Sequence, residues 1–171
     1  LAPEMSDEYL VFTMDGGGDR KTSCVFLAKN GQLEELASSF SMSLASLYAH
    51  VTYILGFLPH EHEYKLMGLA PYAGEKFAQE VCDKLYGLVG FSEEDPMVIT
   101  NTNRYRNLGH ANGPNKVTWI EELYRELLNY RFDSVAAGLQ LFVQQMALEW
   151  ITAAMKITGI NKVLLSGGFF M

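Results

Sequence analysis

The sequence predicts an α/β fold, and three features carry that reading. Apolar runs at 8–14 and 22–28 flank a glycine-rich turn, and a third run follows Asn30-Gly31, which makes an antiparallel β-meander. Apolar residues then recur at helical spacing in several segments, the longest over about 133–158. One further strand, at 162–166, runs into Ser166-Gly167-Gly168. A strand–turn–strand and a later strand–Gly-Gly facing one cleft is the expected organisation.

Each element has a local reason. Tyr9-Leu-Val-Phe-Thr-Met14 has the length and β-branched content of a buried strand, and Asp15 falls where that strand leaves the sheet. Asn30-Gly31 is a two-residue hairpin signal, so 32–40 follows as the third strand. Ser43 caps a helix over 44–57, with Leu44, Leu47, Tyr48, Val51 and Leu55 on one face and Pro59 ending it. A His/Glu-rich loop over 60–72 precedes a helix at 74–87. Residues 88–117 read as an irregular Asn/Gly-rich insertion with one short strand at 97–100. Thr118 opens a helix over 119–129. Val135, Leu139, Phe142, Val143, Met146, Trp150, Ala154 and Ile157 share a face of the long core helix, which Gly159 stops. The divisions are therefore 1–42 (meander), 43–87 (helices and loop), 88–117 (insertion) and 118–171 (helices and Gly-Gly strand).

Composition narrows the function. With 49% hydrophobic and 19% charged residues over 171 positions, the chain can bury a core as one domain or two small lobes. A net charge of −7 argues against a broad nucleic-acid or acidic-membrane surface. No apolar stretch reaches the ~18–20 residues that span a bilayer. Cys24 and Cys82 lack Cys-x-x-Cys spacing and read as two reduced, buried thiols in a cytoplasmic protein. Because Met171 directly follows a strand and glycine turn, the chain reads as a fragment of a larger domain.

Three constellations can carry chemistry. In Asp15-Gly16-Gly17-Gly18-Asp19 the glycines admit positive φ and close approach of a ligand, their N–H groups suit an anion, and the two acids offer hard oxygens to a cation. The same residues also fit an ordinary glycine-rich hairpin with solvated acids. Glu63 can accept hydrogen bonds from ribose hydroxyls and Lys65 can neutralise a phosphate, or the two form a surface ion pair. Gly167 and Gly168 let a purine or ribose lie against backbone, or make a tight strand-to-helix turn. His60 and His62 lack the further ligands of a tetrahedral site, so they read as an exposed loop, and His50 as a half-buried helix residue. The P-loop, Gly-x-Ser-x-Gly and His-Glu-x-x-His patterns do not occur.

Taken in order, Asp15–Asp19, Ser43–Phe57, Glu63–Tyr72, Asp133–Gln140 and Leu165–Gly168 resemble the O-carbamoyltransferase family that includes the nodulation-type and antibiotic-tailoring carbamoyltransferases. The resemblance covers nearly the whole chain and is most specific over 43–72. It implies an actin/Hsp70/sugar-kinase-like (ASKHA) nucleotide-binding fold, here partial. It also implies an ATP-dependent enzyme that makes carbamoyl-adenylate from carbamoyl phosphate and passes the carbamoyl group to the hydroxyl of a small-molecule acceptor. A divalent, iron-type metal ion is implied in the intact protein. By position Asp15 matches the metal-binding aspartate, Gly16–Gly18 with Asp19 the phosphate-side turn, Glu63 and Lys65 the nucleotide-side pair, and Gly167 and Gly168 the adenosine-side glycines. The family's His-x-x-x-His pair and its second metal aspartate have no counterpart here, and neither does its C-terminal domain. This chain alone is therefore expected to be inactive and metal-free, and no residue stands out as a catalytic base. A kinase or other phosphotransferase on the same fold is the alternative, followed by a non-catalytic nucleotide-binding module.

Overall fold

The computed structural model describes residues 8–40, 43–102 and 119–171. They form an α/β arrangement of an antiparallel-rich sheet and helices, in the order β1 (Tyr9–Gly18), β2 (Lys21–Lys29), β3 (Gln32–Ser39), α1 (Leu44–Ile54), α2 (Glu63–Leu69), a 3-10 turn (Ala70–Tyr72), α3 (Glu75–Tyr86), β4 (Val89–Phe91), β5 (Ile99–Asn101), α4 (Trp119–Leu127), α5 (Phe132–Thr158), β6 (Val163–Ser166) and a last 3-10 turn (Gly168–Phe170). No described helix is long and apolar enough to cross a membrane. The chain groups into two compact units. One takes the residues up to Ser46 with Phe91–Thr100 and Ala147–Met171, the other Leu47–Gly90 with Asn101–Met146.

The first unit is built on a four-stranded sheet in the order β3-β2-β1-β6. β1 and β2 pair antiparallel from Tyr9↔Ala28 to Met14↔Ser23, and β6 lies parallel to β1 with Phe12↔Leu165 and Thr13↔Ser166. Alternation along β1 puts Leu10, Phe12 and Met14 on the core face, each 1% exposed or less. Against them lies Trp150 from the C-terminal half of α5, fully buried, edge-on to Phe12 at 4.9 Å, with its indole N–H donating to the Met97 carbonyl at 2.6 Å. Burying side chains of that size contributes about 1.5–3 kcal/mol each, which makes this cluster the main support of the sheet. The strand at 162–166 was expected to be buried. Instead β6 is an edge strand, and Leu164 and Leu165 are 40% and 50% exposed.

The second unit packs helix on helix around Leu66, Val81, Cys82, Leu85, Leu123, Leu139 and Phe142, all fully buried. α3 and the N-terminal half of α5 touch backbone-close at Gly138. A Cβ there would lie 2.4 Å from the Val81 side chain and 2.8 Å from the Ala78 carbonyl oxygen. Alanine favours helix over glycine by about 1 kcal/mol, but overpacking a tight crossing costs about 1–3 kcal/mol, more where a backbone atom must move. Gly138→Ala is therefore expected to lower the urea midpoint. An unchanged midpoint would rule out so close a crossing.

Two boundaries differ from the sequence reading. α1 ends at Ile54, not at Pro59: Gly56 takes φ +81°, and Phe57 N–H bonds back to the Thr52 carbonyl at 3.1 Å, a Schellman-type stop. Where one strand was expected at 97–100, two short ones, β4 and β5, pair with each other. The cap expected at Thr118, and residues 103–117 of the insertion read over 88–117, lie outside the described residues.

Candidate functional site

The candidate site lies on the first unit, where β1 leaves the sheet. Asp15 to Arg20 are all exposed. Gly16, Gly17 and Gly18, expected to form the hairpin turn, instead prolong β1 through an irregularity between Met14 and Gly18. The turn itself is Asp19-Arg20, with φ of 51° and 65°, closed by the pair Gly18↔Lys21. Two successive left-handed residues make the turn that matches strand twist, so the tip falls there and the glycines absorb the bulge. Gly17, at φ +141°, needs the freedom that a missing Cβ gives. No atom lies within 4 Å of where a Cβ would stand on any of the three glycines, so their backbone is open to a ligand.

The parallel pairing of β6 with β1 brings the second glycine motif to the same place. A Cβ on Gly167 would sit 2.2 Å from the Met14 carbonyl oxygen, and one on Gly168 would sit 3.4 Å from Asp15 Oδ1. Asp15, the glycine bulge, Gly167 and Gly168 thus form one constellation. Beside it runs a groove of about 430 Å³ lined among others by Thr13, Asp15, Asp19, Lys21, Cys24 and Ser166.

The charge of this groove is acidic. Lys21 is held in an ion pair with Glu35, which raises the lysine pKa and lowers that of the glutamate. With Lys21 so paired, Asp15 and Asp19 leave the groove lining with an excess of negative charge. Burial pushes the Cys24 thiol up, which keeps it neutral and a poor nucleophile. Asp15 Oδ1 accepts the Gly16 N–H at 2.7 Å. As a metal site the arrangement is incomplete: among the described residues no three His, Cys, Asp or Glu side chains converge on one point. The residues present therefore do not by themselves fit an iron-type ion, which needs several convergent ligands.

Glu63 and Lys65 belong to the second unit, on the first turn of α2. Glu63 Oε1 accepts the His60 N–H at 2.6 Å, fixing a loop in which His60 takes φ +69°. The Lys65 ammonium stands over the Phe57 and Tyr64 rings, 5.7 and 5.9 Å from their centroids. His62, read as part of an exposed loop, is half-buried, and its Nδ1 accepts the Leu58 N–H at 3.1 Å. Tyr48, whose hydroxyl donates to Gln140 at 3.1 Å, is pushed up to about 12 by burial and secondarily by the Glu63 charge.

Sequence reasoning missed two residues of the first unit. Ser43, read only as a helix cap, does accept the Ala45 and Ser46 N–H groups, but its hydroxyl also donates to the Asp15 carbonyl at 2.7 Å. Ser46 donates to the Gly16 carbonyl at 2.8 Å. The Ser-x-x-Ser spacing at the start of α1 was visible, but its target was not.

The whole chain, residues 1–171, matches the family described as carbamoyltransferase N-terminus. It is 28% identical to the uncharacterized protein sll1178 of Synechocystis over 97% of its length, which is 27% of that protein. Against the nodulation protein NolNO of Sinorhizobium fredii it is 26% identical over 95% of its length and 22% of that protein. A shorter match, 42% identical over 40% of the chain, is to the uncharacterized protein MJ1051 of Methanocaldococcus jannaschii, of which it covers 14%. The chain thus spans about a quarter or less of these relatives.

Proposed function

The chain belongs to the carbamoyltransferase N-terminus family, and from that premise we propose that it forms the nucleotide- and phosphate-handling part of an ATP-dependent O-carbamoyltransferase. In this reading water splits carbamoyl phosphate into carbamate and inorganic phosphate, and the carbamate oxygen then attacks the α-phosphorus of ATP to give carbamoyl-adenylate with release of pyrophosphate. The carbamoyl group then passes to the hydroxyl of a small-molecule acceptor and AMP leaves. The fold is read as the ASKHA type, with the meander β3-β2-β1 continued by the parallel β6. Charge builds on phosphoryl oxygens in both steps, and oriented donors aimed at that charge are the usual largest source of rate enhancement.

One observation carries the reading. Asp15, where β1 enters its glycine bulge, and Gly167-Gly168, directly after the neighbouring strand β6, are distant in sequence yet adjoin beside an open groove, a Cβ built on Gly168 lying 3.4 Å from Asp15 Oδ1. The bare backbone at Gly16–Gly18 gives phosphoryl groups their approach, Asp15 and Asp19 supply anionic oxygens, and Gly167 and Gly168 keep the adenosine side free of side chains. Glu63 and Lys65 are assigned to the nucleotide, the first through its remaining carboxylate oxygen, the second as a mobile cation. ATP is the co-substrate of this reading, and a divalent ion would take Asp15 as one ligand of several. A further domain of the same polypeptide is the proposed partner.

The full-length protein, given ATP, carbamoyl phosphate and a panel of polyhydroxylated acceptors, is expected to release pyrophosphate and AMP and to yield a product heavier by one carbamoyl group. ADP formation independent of carbamoyl phosphate would replace this reading by a kinase.

A further inference from the structure

The two serines at the start of α1, Ser43 before its first residue and Ser46 on its first turn, do more than cap a helix. Ser43 Oγ donates to the Asp15 carbonyl at 2.7 Å and Ser46 Oγ to the Gly16 carbonyl at 2.8 Å, so consecutive carbonyls of the bulge are drawn toward α1. The peptide bonds here are trans, and in a planar trans peptide the C=O and the following N–H point in opposite directions. Anchoring the Asp15 carbonyl therefore turns the Gly16 N–H away from α1, where Asp15 Oδ1 accepts it at 2.7 Å. Anchoring the Gly16 carbonyl turns the Gly17 N–H away from α1 as well. No atom stands within 4 Å of the Cβ position at Gly17, and glycine has no side chain to hold this plane itself. Without the Ser46 hydroxyl the Gly16–Gly17 peptide is free to rotate, since both residues are glycine.

We propose that Ser46 is a positioning residue: its hydroxyl fixes the Gly16–Gly17 peptide plane so that the Gly17 N–H is presented to a phosphoryl oxygen. The inference rests on the reading above and names a device that reading does not contain. Ser43 serves the same end one peptide earlier, but it is fully buried and also caps α1, so its removal mixes two effects. Ser46 is only half-buried and separates them.

Its test uses the full-length protein. Ser46→Ala is expected to raise the KM of one phosphate-bearing substrate about tenfold, to leave kcat within threefold, and to keep the melting temperature of the wild type. Titrating ATP and carbamoyl phosphate separately shows which of the two supplies the phosphoryl oxygen. Ser46→Thr, which keeps the hydroxyl, is expected to restore KM to within threefold. A KM within twofold of wild type for both substrates in Ser46→Ala, or equal losses in the alanine and threonine variants, overturns the proposal. Binding of inorganic pyrophosphate, followed by calorimetry, keeps this test separate from the reaction. If the wild type makes no carbamoylated product, the reading above fails. A pyrophosphate affinity about tenfold weaker in Ser46→Ala would still uphold the role of Ser46, and an unchanged one would remove it.

Discussion

Gly167→Ala is expected to cost the protein its stable fold. Gly167 sits at φ +101° and ψ 162°, a region that essentially only glycine occupies. A methyl group there would lie 2.2 Å from the Met14 carbonyl oxygen, 2.9 Å from its carbon and 3.1 Å from its nitrogen. Those atoms belong to β1, which is paired with β2 on one side and β6 on the other, so no flexible side chain can give way. Backbone strain and overpacking of about 1–3 kcal/mol each sum to roughly 2–6 kcal/mol, a large fraction of the ~5–15 kcal/mol that holds a domain together. The neighbouring Gly168→Ala is the control. Its Cβ meets only the end of the Asp15 side chain, at 3.4 Å, so its stability is expected to stay within about 1 kcal/mol of wild type. Urea denaturation followed by circular dichroism checks both. A Gly167→Ala variant as stable as the wild type would mean that β6 does not enter the sheet in this register.

What could be read ahead of the structure divides along how local each determinant is. Asn30-Gly31 was legible because two left-handed residues in sequence suffice to turn a hairpin, and they do so at φ 54° and 74°. Asp19-Arg20 makes the same turn and was hidden, since arginine seldom adopts positive φ and three adjacent glycines offered a more obvious turn. At the end of α1 Pro59 reads as the stop, but Gly56 comes first and its left-handed conformation ends the helix. β5 overlaps the short strand read at 97–100, whereas its partner β4, three residues long, is too short for any periodicity to show. The apolar Val163-Leu164-Leu165 suggested a buried strand because burial depends on what covers an element, which its own residues do not encode. The site follows the same rule. Asp15 and Gly167-Gly168 could be named as separate glycine motifs, but their meeting depends on the parallel pairing of β1 with β6, a contact between opposite ends of the chain. Ser43 was legible as a cap and illegible as a clamp, because its second partner, Asp15, is reached only through the fold.

Asp15→Asn is expected to abolish most activity while leaving the fold untouched, which makes it the most direct probe of the site's chemistry. Asp15 is exposed, and its carboxylate accepts the Gly16 N–H through Oδ1. An asparagine amide oxygen can accept that same bond, so the local backbone keeps its geometry and only the charge is lost. Surface substitutions of this kind usually move stability by about 0.5 kcal/mol or less. The charge is where the groove's character lies, because Lys21 is already paired with Glu35 and Asp15 and Asp19 set the sign of what remains. If the proposed reaction brings phosphoryl groups and a cation into this groove, removing one of two carboxylates should lower kcat/KM by about a hundredfold or more, the scale of losing one electrostatic contact to the reacting group. Asp19→Asn, at the turn tip and not against Gly168, is expected to lose less. Carbamoyl transfer by the full-length protein, measured beside its melting temperature, separates these outcomes. Full activity in Asp15→Asn would remove this carboxylate from the site, while equal losses of activity and melting temperature would make it a structural residue. A hundredfold loss at constant stability is the result that ties the glycine bulge to phosphoryl chemistry.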